Sequence, residues 1–262
     1  VTEFFKYLFL GSVQGATEFL PVSSSGHLTI FSEILRLNLD PDNSKALFAL
    51  LHLATFFAVL LFTYREIFQI FTGLFKKGDR LRSIRYIILL TIATIPAIMT
   101  GLFLEGYIDR AFSSPVFAST MLFITAILLF LSDRFDGKAE ILEMGLFGAL
   151  LVGILQAIAI LPGISRSGMT IFGALFIGLS RKDAVKFSFL MSLPVTLGAG
   201  ILEFSKIDTP AAYGILAFLS AFFMGVIGLT LVKKFVINGK LRGFAFYCII
   251  FAVVSLILLG VV

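Results

Sequence analysis

The chain has 262 residues, of which 58% are hydrophobic, 31 are phenylalanine and only 14% are charged. That is more apolar surface than a water-soluble domain of this size can bury, so the composition specifies an integral membrane protein. The net charge of +5 does not call for a nucleic-acid partner, because Lys and Arg gather in the cytoplasmic loops of membrane proteins, and the single cysteine, Cys248, reads as packing.

The first apolar arm runs into a polar stretch, GSVQGATEFLPVSSSGHL, from Gly11 to Leu28. Gln14 and Glu18 are four apart and share one helix face. Pro21 cannot continue the ladder and ends the helix. Ser23, Ser24, Ser25, Gly26 and His27 then open a short apolar arm, Gly26 to Leu37. Three apolar stretches follow, Ala46 to Thr63, Tyr86 to Phe103 and Pro115 to Leu131, long enough or nearly so to cross about 30 Å of hydrocarbon. Within them His52 reads as a satisfied buried histidine, with support of the polar site as the alternative, and Pro96 as a kink. A second polar stretch, GILQAIAILPGISRSGMT, runs from Gly153 to Thr170. A constant offset of 142 superposes Gly11 on Gly153, Gln14 on Gln156, Ser23 on Ser165, Ser25 on Ser167 and Gly26 on Gly168. The second short arm, Gly168 to Leu179, precedes three further spans: Phe187 to Leu202, which should extend a turn toward Lys186, then Ala211 to Val232 and Gly243 to Val262. Pro194 reads as a kink, Gln156 as an interhelical hydrogen bond, and Gly198 and Gly200 as close helix packing.

The short arms would reach only about 18 Å as helices, so each polar stretch is expected to form a helix–loop–helix hairpin that dips in and returns to its own side. The positive-inside rule supports this. With returning hairpins, one face holds the loops at 64–85, 132–143, 180–186 and 233–242, with 15 Lys and Arg, and the other holds Lys6, Arg36, Lys45, Arg110 and Lys206. Counting each hairpin as a crossing would divide them 10 against 10. The expected fold class is therefore an all-α integral membrane protein with an inverted-topology repeat, six transmembrane helices plus two re-entrant hairpins. It forms one membrane domain, 1–262, made of repeats 1–133 and 144–262. Both termini are expected outside the cytoplasm, with the first hairpin opening outward.

Serines before a helix start cap it, and free N–H groups there make an anion site. In the second turn Arg166 stands where the first has Ser24, between Ser165 and Ser167, with Thr170 one turn on; a guanidinium fork matches phosphate. Two helix N-termini, several hydroxyls and one arginine at mid-depth would bind a phosphate or pyrophosphate, with Ser23, Ser25, Gly26, Ser165, Arg166, Ser167, Gly168 and Thr170 as contacts. Glu18 beside a polyanion requires a divalent cation or a role as base. His27 could be nucleophile, general base or general acid. An ionisable residue inside a membrane costs roughly 2.5–3.5 kcal/mol on insertion scales, which marks Glu18 and Arg166 as functional. A structural salt bridge between those two is the competing reading.

At Gln14-xxx-Glu18, Pro21-Val22-Ser23-Ser24-Ser25-Gly26-His27 and Pro162-Gly163-Ile164-Ser165-Arg166-Ser167-Gly168-Met169-Thr170, the chain resembles the undecaprenyl-diphosphate phosphatase family, membrane enzymes linked to bacitracin resistance. The resemblance extends over essentially the whole chain. It implies hydrolysis of a polyprenyl diphosphate carrier to its monophosphate at the outer face of the plasma membrane, with Mg²⁺ or Ca²⁺ as the divalent cation. It carries over Glu18, Ser24, His27 and Arg166 as catalytic residues, with Glu18 and, more weakly, Gln14 at the metal. Many members have a glutamate where this chain has Gln14, which leaves Glu18 as the main acidic ligand. The expected partners are the lipid diphosphate, the bilayer and a second copy of the chain in a homodimer. A polyprenyl-phosphate flippase or anion transporter built on the same inverted repeat is the reading from another class.

Overall fold

The computed structural model describes residues 2–37, 41–204, 211–239 and 241–261. Lys206, Lys240 and Val262, which entered the charge count or the last expected span, lie outside them. The described residues form eleven α-helices and one 3₁₀ turn. In chain order the helices are α1 Thr2–Glu18, α2 Ser24–Ile34, α3 Pro41–Gly73, α4 Arg80–Phe103, α5 Glu105–Phe112 and α6 Pro115–Ser132, then α7 Gly145–Ile158, α8 Arg166–Phe176, α9 Arg181–Phe204, α10 Ala211–Ile237 and α11 Leu241–Leu258. The long helices α3, α4, α6, α9, α10 and α11 are the six that are long and apolar enough to cross a membrane. Their outward faces carry bare aromatics such as Phe68, Phe103, Phe223 and Phe246, a surface suited to lipid.

Several boundaries differ from those read in the sequence. Helix α3 continues ten residues past Thr63, α10 runs past Val232 to Ile237, and α9 starts at Arg181 rather than near Lys186. Charged residues end an apolar window without ending a helix, since Lys, Arg and Glu propagate it well. The last span stops at Leu258, four residues early. Helix α5 and the 3₁₀ turn Ile141–Glu143 are short elements in loops, for which an apolar window has no signal.

Each half repeats one order: helix, 11-residue helix, then three long helices, with α5 interposed in the first half. Helices α2 and α8 would reach about 16 Å, roughly half of the hydrocarbon thickness. The packing partners exchange with the halves. Helix α1 packs on α10 and its counterpart α7 on α4, while α3 packs on α9 and α6 on α11. This is the exchange symmetry that a repeat related by a twofold axis would have.

Small residues set the closest approaches, as expected where lipid supplies no hydrophobic drive. A Cβ on Gly153 would lie 2.6 Å from the Ala93 carbonyl of α4, and one on Gly15 would lie 2.6 Å from the Gly225 amide of α10. Gly11, the sequence counterpart of Gly153, presses on the Ala217 backbone in the same way. Gly200 packs near Leu53, but a Cβ on Gly198 would meet nothing within 4 Å, so Gly198 is not a close-packing glycine. Gln156 does bridge helices, donating to the Ala93 carbonyl at 3.4 Å, and Cys248 is buried packing. Pro96 and Pro194 lie inside α4 and α9, where each removes a ladder hydrogen bond.

The segment joining the halves is tied to the second half. Ala139 exchanges backbone hydrogen bonds with Gly178 and Ser180, both at 3.0 Å. Asp133 accepts the Arg242 amide at 3.1 Å and lies 3.5 Å from the Arg181 guanidinium.

Candidate active site

Both polar turns are built alike. Ser23 caps α2 by accepting the Gly26 amide at 3.3 Å, and Ser165 caps α8 by accepting the Gly168 amide at 3.1 Å. The Ser23 and Ser25 hydroxyls lie 3.4 Å apart, those of Ser165 and Ser167 3.2 Å apart. One difference stands out: Ser23 has φ 67, in the left-handed region that is strained for a non-glycine residue, whereas Ser165 is extended at φ −75.

The two turns pack directly against each other. The Gly163 amide donates to the Ser23 hydroxyl at 3.1 Å, and the Ser167 hydroxyl donates to the Leu20 carbonyl at 2.9 Å. A Cβ on Gly26 would sit 2.9 Å from the Gly163 Cα, so the turns meet backbone to backbone. Thr125 of α6 clamps the second turn, donating to the Gly163 carbonyl at 2.8 Å and accepting the Ser165 amide at 2.9 Å.

At this junction Glu18, only 5% exposed, collects donors from both halves. Its Oε1 accepts from Arg166 Nη2, and its Oε2 accepts from the Ser24 hydroxyl and, at 3.0 Å, from Gln14 Nε2. The sequence-predicted Gln14, Glu18, Ser24 and Arg166 therefore form one cluster. Glu18 and Arg166 do make the salt bridge weighed above, and it joins the two halves. A buried pair with one charge on each turn is costly as mere structure, since apolar packing would stabilise as well or better.

Other predicted residues are placed differently. The hydroxyls of Ser23, Ser165 and Ser167 are spent on caps and on joining the turns. Thr170 is fully buried, donating back to the Arg166 carbonyl at 3.0 Å and meeting Ser188 of α9 at 2.7 Å, so it braces α8. His27 is 1% exposed and stacked on Phe251, with ring centroids 4.1 Å apart. Its Nδ1 donates to the Ser23 carbonyl at 2.7 Å, and in the neutral ring Nε2 accepts from Tyr247 at 2.7 Å. Both nitrogens are engaged, and the ring holds the strained Ser23 carbonyl rather than joining the Glu18 cluster.

His52 is the residue that the sequence reading undervalued. Its Nδ1 donates to the Phe48 carbonyl at 2.7 Å, and a carbonyl only accepts, so this nitrogen carries a proton. Its Nε2 faces Glu18 Oε2 at 3.8 Å, and the side chain is 22% exposed. A lone histidine in an apolar span gives no sequence signal for this; its position requires α3 to pass beside the end of α1. Thr125 and Ser188 were equally illegible, being single hydroxyls inside spans.

A divalent cation can be tested against this donor set. Among the described residues no group of three or more His, Cys, Asp and Glu could hold a metal alone. Gln14 Oε1, however, is buried with no hydrogen-bond partner, beside the Glu18 carboxylate. One carboxylate and one unspent amide oxygen fit a hard cation that arrives with phosphate oxygens completing its shell.

Comparison with known proteins places this arrangement in context. The family model described as bacitracin resistance protein BacA matches residues 7–254. A protein of Methanococcus maripaludis (strain C7) named undecaprenyl-diphosphatase is 49% identical over 247 residues, covering 92% of this chain and 94% of the relative. One of the same name from Thermosipho africanus is 44% identical over 250 residues, covering 95% and 98%.

Proposed function

The chain belongs to the bacitracin resistance protein BacA family, and from that premise we propose that it hydrolyses undecaprenyl diphosphate to the monophosphate and inorganic phosphate. The observation that carries the reading is the Glu18 carboxylate bound at once by Ser24 of its own turn and Arg166 of the other. A transporter needs a binding site at that depth, but a hydroxyl donating to a buried carboxylate is the arrangement of a nucleophile and its base.

The diphosphate is held by Arg166, which keeps further N–H donors beyond the one given to Glu18, and by the free amides at the N-termini of α2 and α8. The Ser24 oxygen attacks the terminal phosphorus while its proton passes to Glu18. The bridging P–O bond breaks, and the polyprenyl monophosphate leaves with that electron pair and the proton from Glu18. Water then cleaves the serine–phosphate bond: its hydroxyl joins the phosphorus, its proton passes through Glu18 to the departing Ser24 oxygen, and inorganic phosphate leaves with the Ser24 hydroxyl restored. Preorganised donors from Arg166 and the helix ends stabilise charge developing on the equatorial oxygens. Glu18 and Gln14 Oε1 would hold Mg²⁺ or Ca²⁺, which when bound supplies charge neutralisation for the diphosphate. The first turn opens to the outer leaflet of the plasma membrane, where the carrier is recycled.

The test is phosphate release by the purified protein in detergent, with polyprenyl diphosphate and Mg²⁺. Glu18→Ala and Arg166→Ala should each lower kcat about 10³-fold or more while leaving a folded protein. Near-normal hydrolysis by either variant, or binding of the lipid with no phosphate released by the wild-type protein, would overturn the reading.

A further inference from the structure

Beside the second turn lies a groove of about 430 Å³ between α4, α5 and α7. Pro96, Thr100, Tyr107, Ile154, Ala157 and Leu161 are among its lining residues. The Thr100 hydroxyl is already spent on the Pro96 carbonyl at 2.9 Å. Water in a cavity needs two to four polar partners, and beyond the Thr100 and Tyr107 hydroxyls this lining is apolar, so the groove suits hydrocarbon better than water. Ile154 and the neighbouring Ile158 are 45% and 44% exposed, which opens it sideways to lipid. At one end it is covered by α5, whose Arg110 guanidinium stacks over the Tyr107 ring at 4.9 Å. At the other end Ile160 and Leu161 run directly into Pro162 and Gly163, and Gly163 is the residue that packs on Ser23 and Gly26.

We infer that this groove is the subsite for the head-proximal isoprene units of the substrate, an inference that rests on the phosphatase reading above. Continuity decides the occupant. A chain lying here has its inner end beside the junction of the two turns, where the diphosphate binds. A bulk phospholipid would instead enter from the α5 end with its head at the membrane surface. Ala157 is the position at which a larger side chain would fill the groove most, because it is the smallest side chain of the lining and is half-buried.

The experiment compares a long-chain polyprenyl diphosphate with dimethylallyl diphosphate, which has the head and a single isoprene unit. In Ala157→Phe the ratio of kcat/KM for the long over the short substrate should fall about tenfold or more. An unmoved ratio overturns the inference. Failure of the wild-type protein to release phosphate from either substrate would sink the phosphatase reading instead, so the two failures are distinguishable. A second measurement uses the wild-type protein alone: a polyprenyl diphosphate with a diazirine on its first isoprene units should label residues 154–161. Excess unlabelled polyprenyl diphosphate should suppress that labelling and excess phospholipid should not. Labelling elsewhere, or labelling that only phospholipid suppresses, overturns the inference.

Discussion

Ser23 shows how much a single residue is asked to do. Its hydroxyl accepts two amides, one from each turn, and its carbonyl is pinned by His27 while its backbone sits at positive φ. Tyr247 completes this device from the far end of the chain, so Tyr247→Phe removes the partner of His27 Nε2 without changing ring stacking. We expect it to destabilise the protein by about 1 kcal/mol, the net worth of one buried hydrogen bond. It should lower kcat by less than Glu18→Ala does, as read by thermal unfolding in detergent alongside phosphate release. A loss of turnover matching that of Glu18→Ala would make His27 a direct participant. At this scale the sequence was informative where chemistry is rare and silent where it is common. A carboxylate and a guanidinium in an apolar setting announced themselves. The division of the serines into one hydroxyl on the carboxylate, Ser24, and several that cap helices or join the turns did not, because it depends on which way each points at the junction.

Among the elements, the helix breaks between α1 and α2 and between α7 and α8 were legible from proline, serine and glycine spacing, and α2 and α8 occupy nearly the expected ranges. Their relative importance follows from contact geometry. A Cβ on Gly26 would press on the Gly163 backbone at 2.9 Å, whereas one on Gly168 would meet the Ser165 side chain at 3.1 Å and Pro21 at 3.6 Å. Backbone cannot step aside as a side chain can. Gly26→Ala should therefore cost about 1–3 kcal/mol of stability and separate Arg166 from Glu18, while Gly168→Ala should be the milder of the two. Unfolding midpoints and phosphate release of both variants check the order. The elements missed, α5 and the 3₁₀ turn, are too short for a hydropathy window, and the true length of α3 was hidden because Arg65, Glu66 and Gln69 interrupt its apolar run.

For the whole molecule, the charge asymmetry read from the sequence makes the expected orientation testable. Tags on either terminus should be reachable from outside intact cells, and probes in the α3–α4 loop should be reached only after permeabilisation; protection of both termini would reverse the topology. The halves are related by exchange of packing partners, yet the site they share is unequal. The positions that match Glu18, Ser24 and His27 under the offset of 142 are Ile160, Arg166 and Met169. Glu18 and Arg166 are thus not equivalent positions: two identical turns carrying both a glutamate and an arginine would make this salt bridge twice, but neither would keep the serine hydroxyl that Ser24 sets on Glu18. Only turns that differ in sequence can set an arginine on one side of the junction and a serine on the other. A symmetrised variant, Ser24→Arg with Ile160→Glu, should therefore keep an ionic link between the halves and yet release no phosphate.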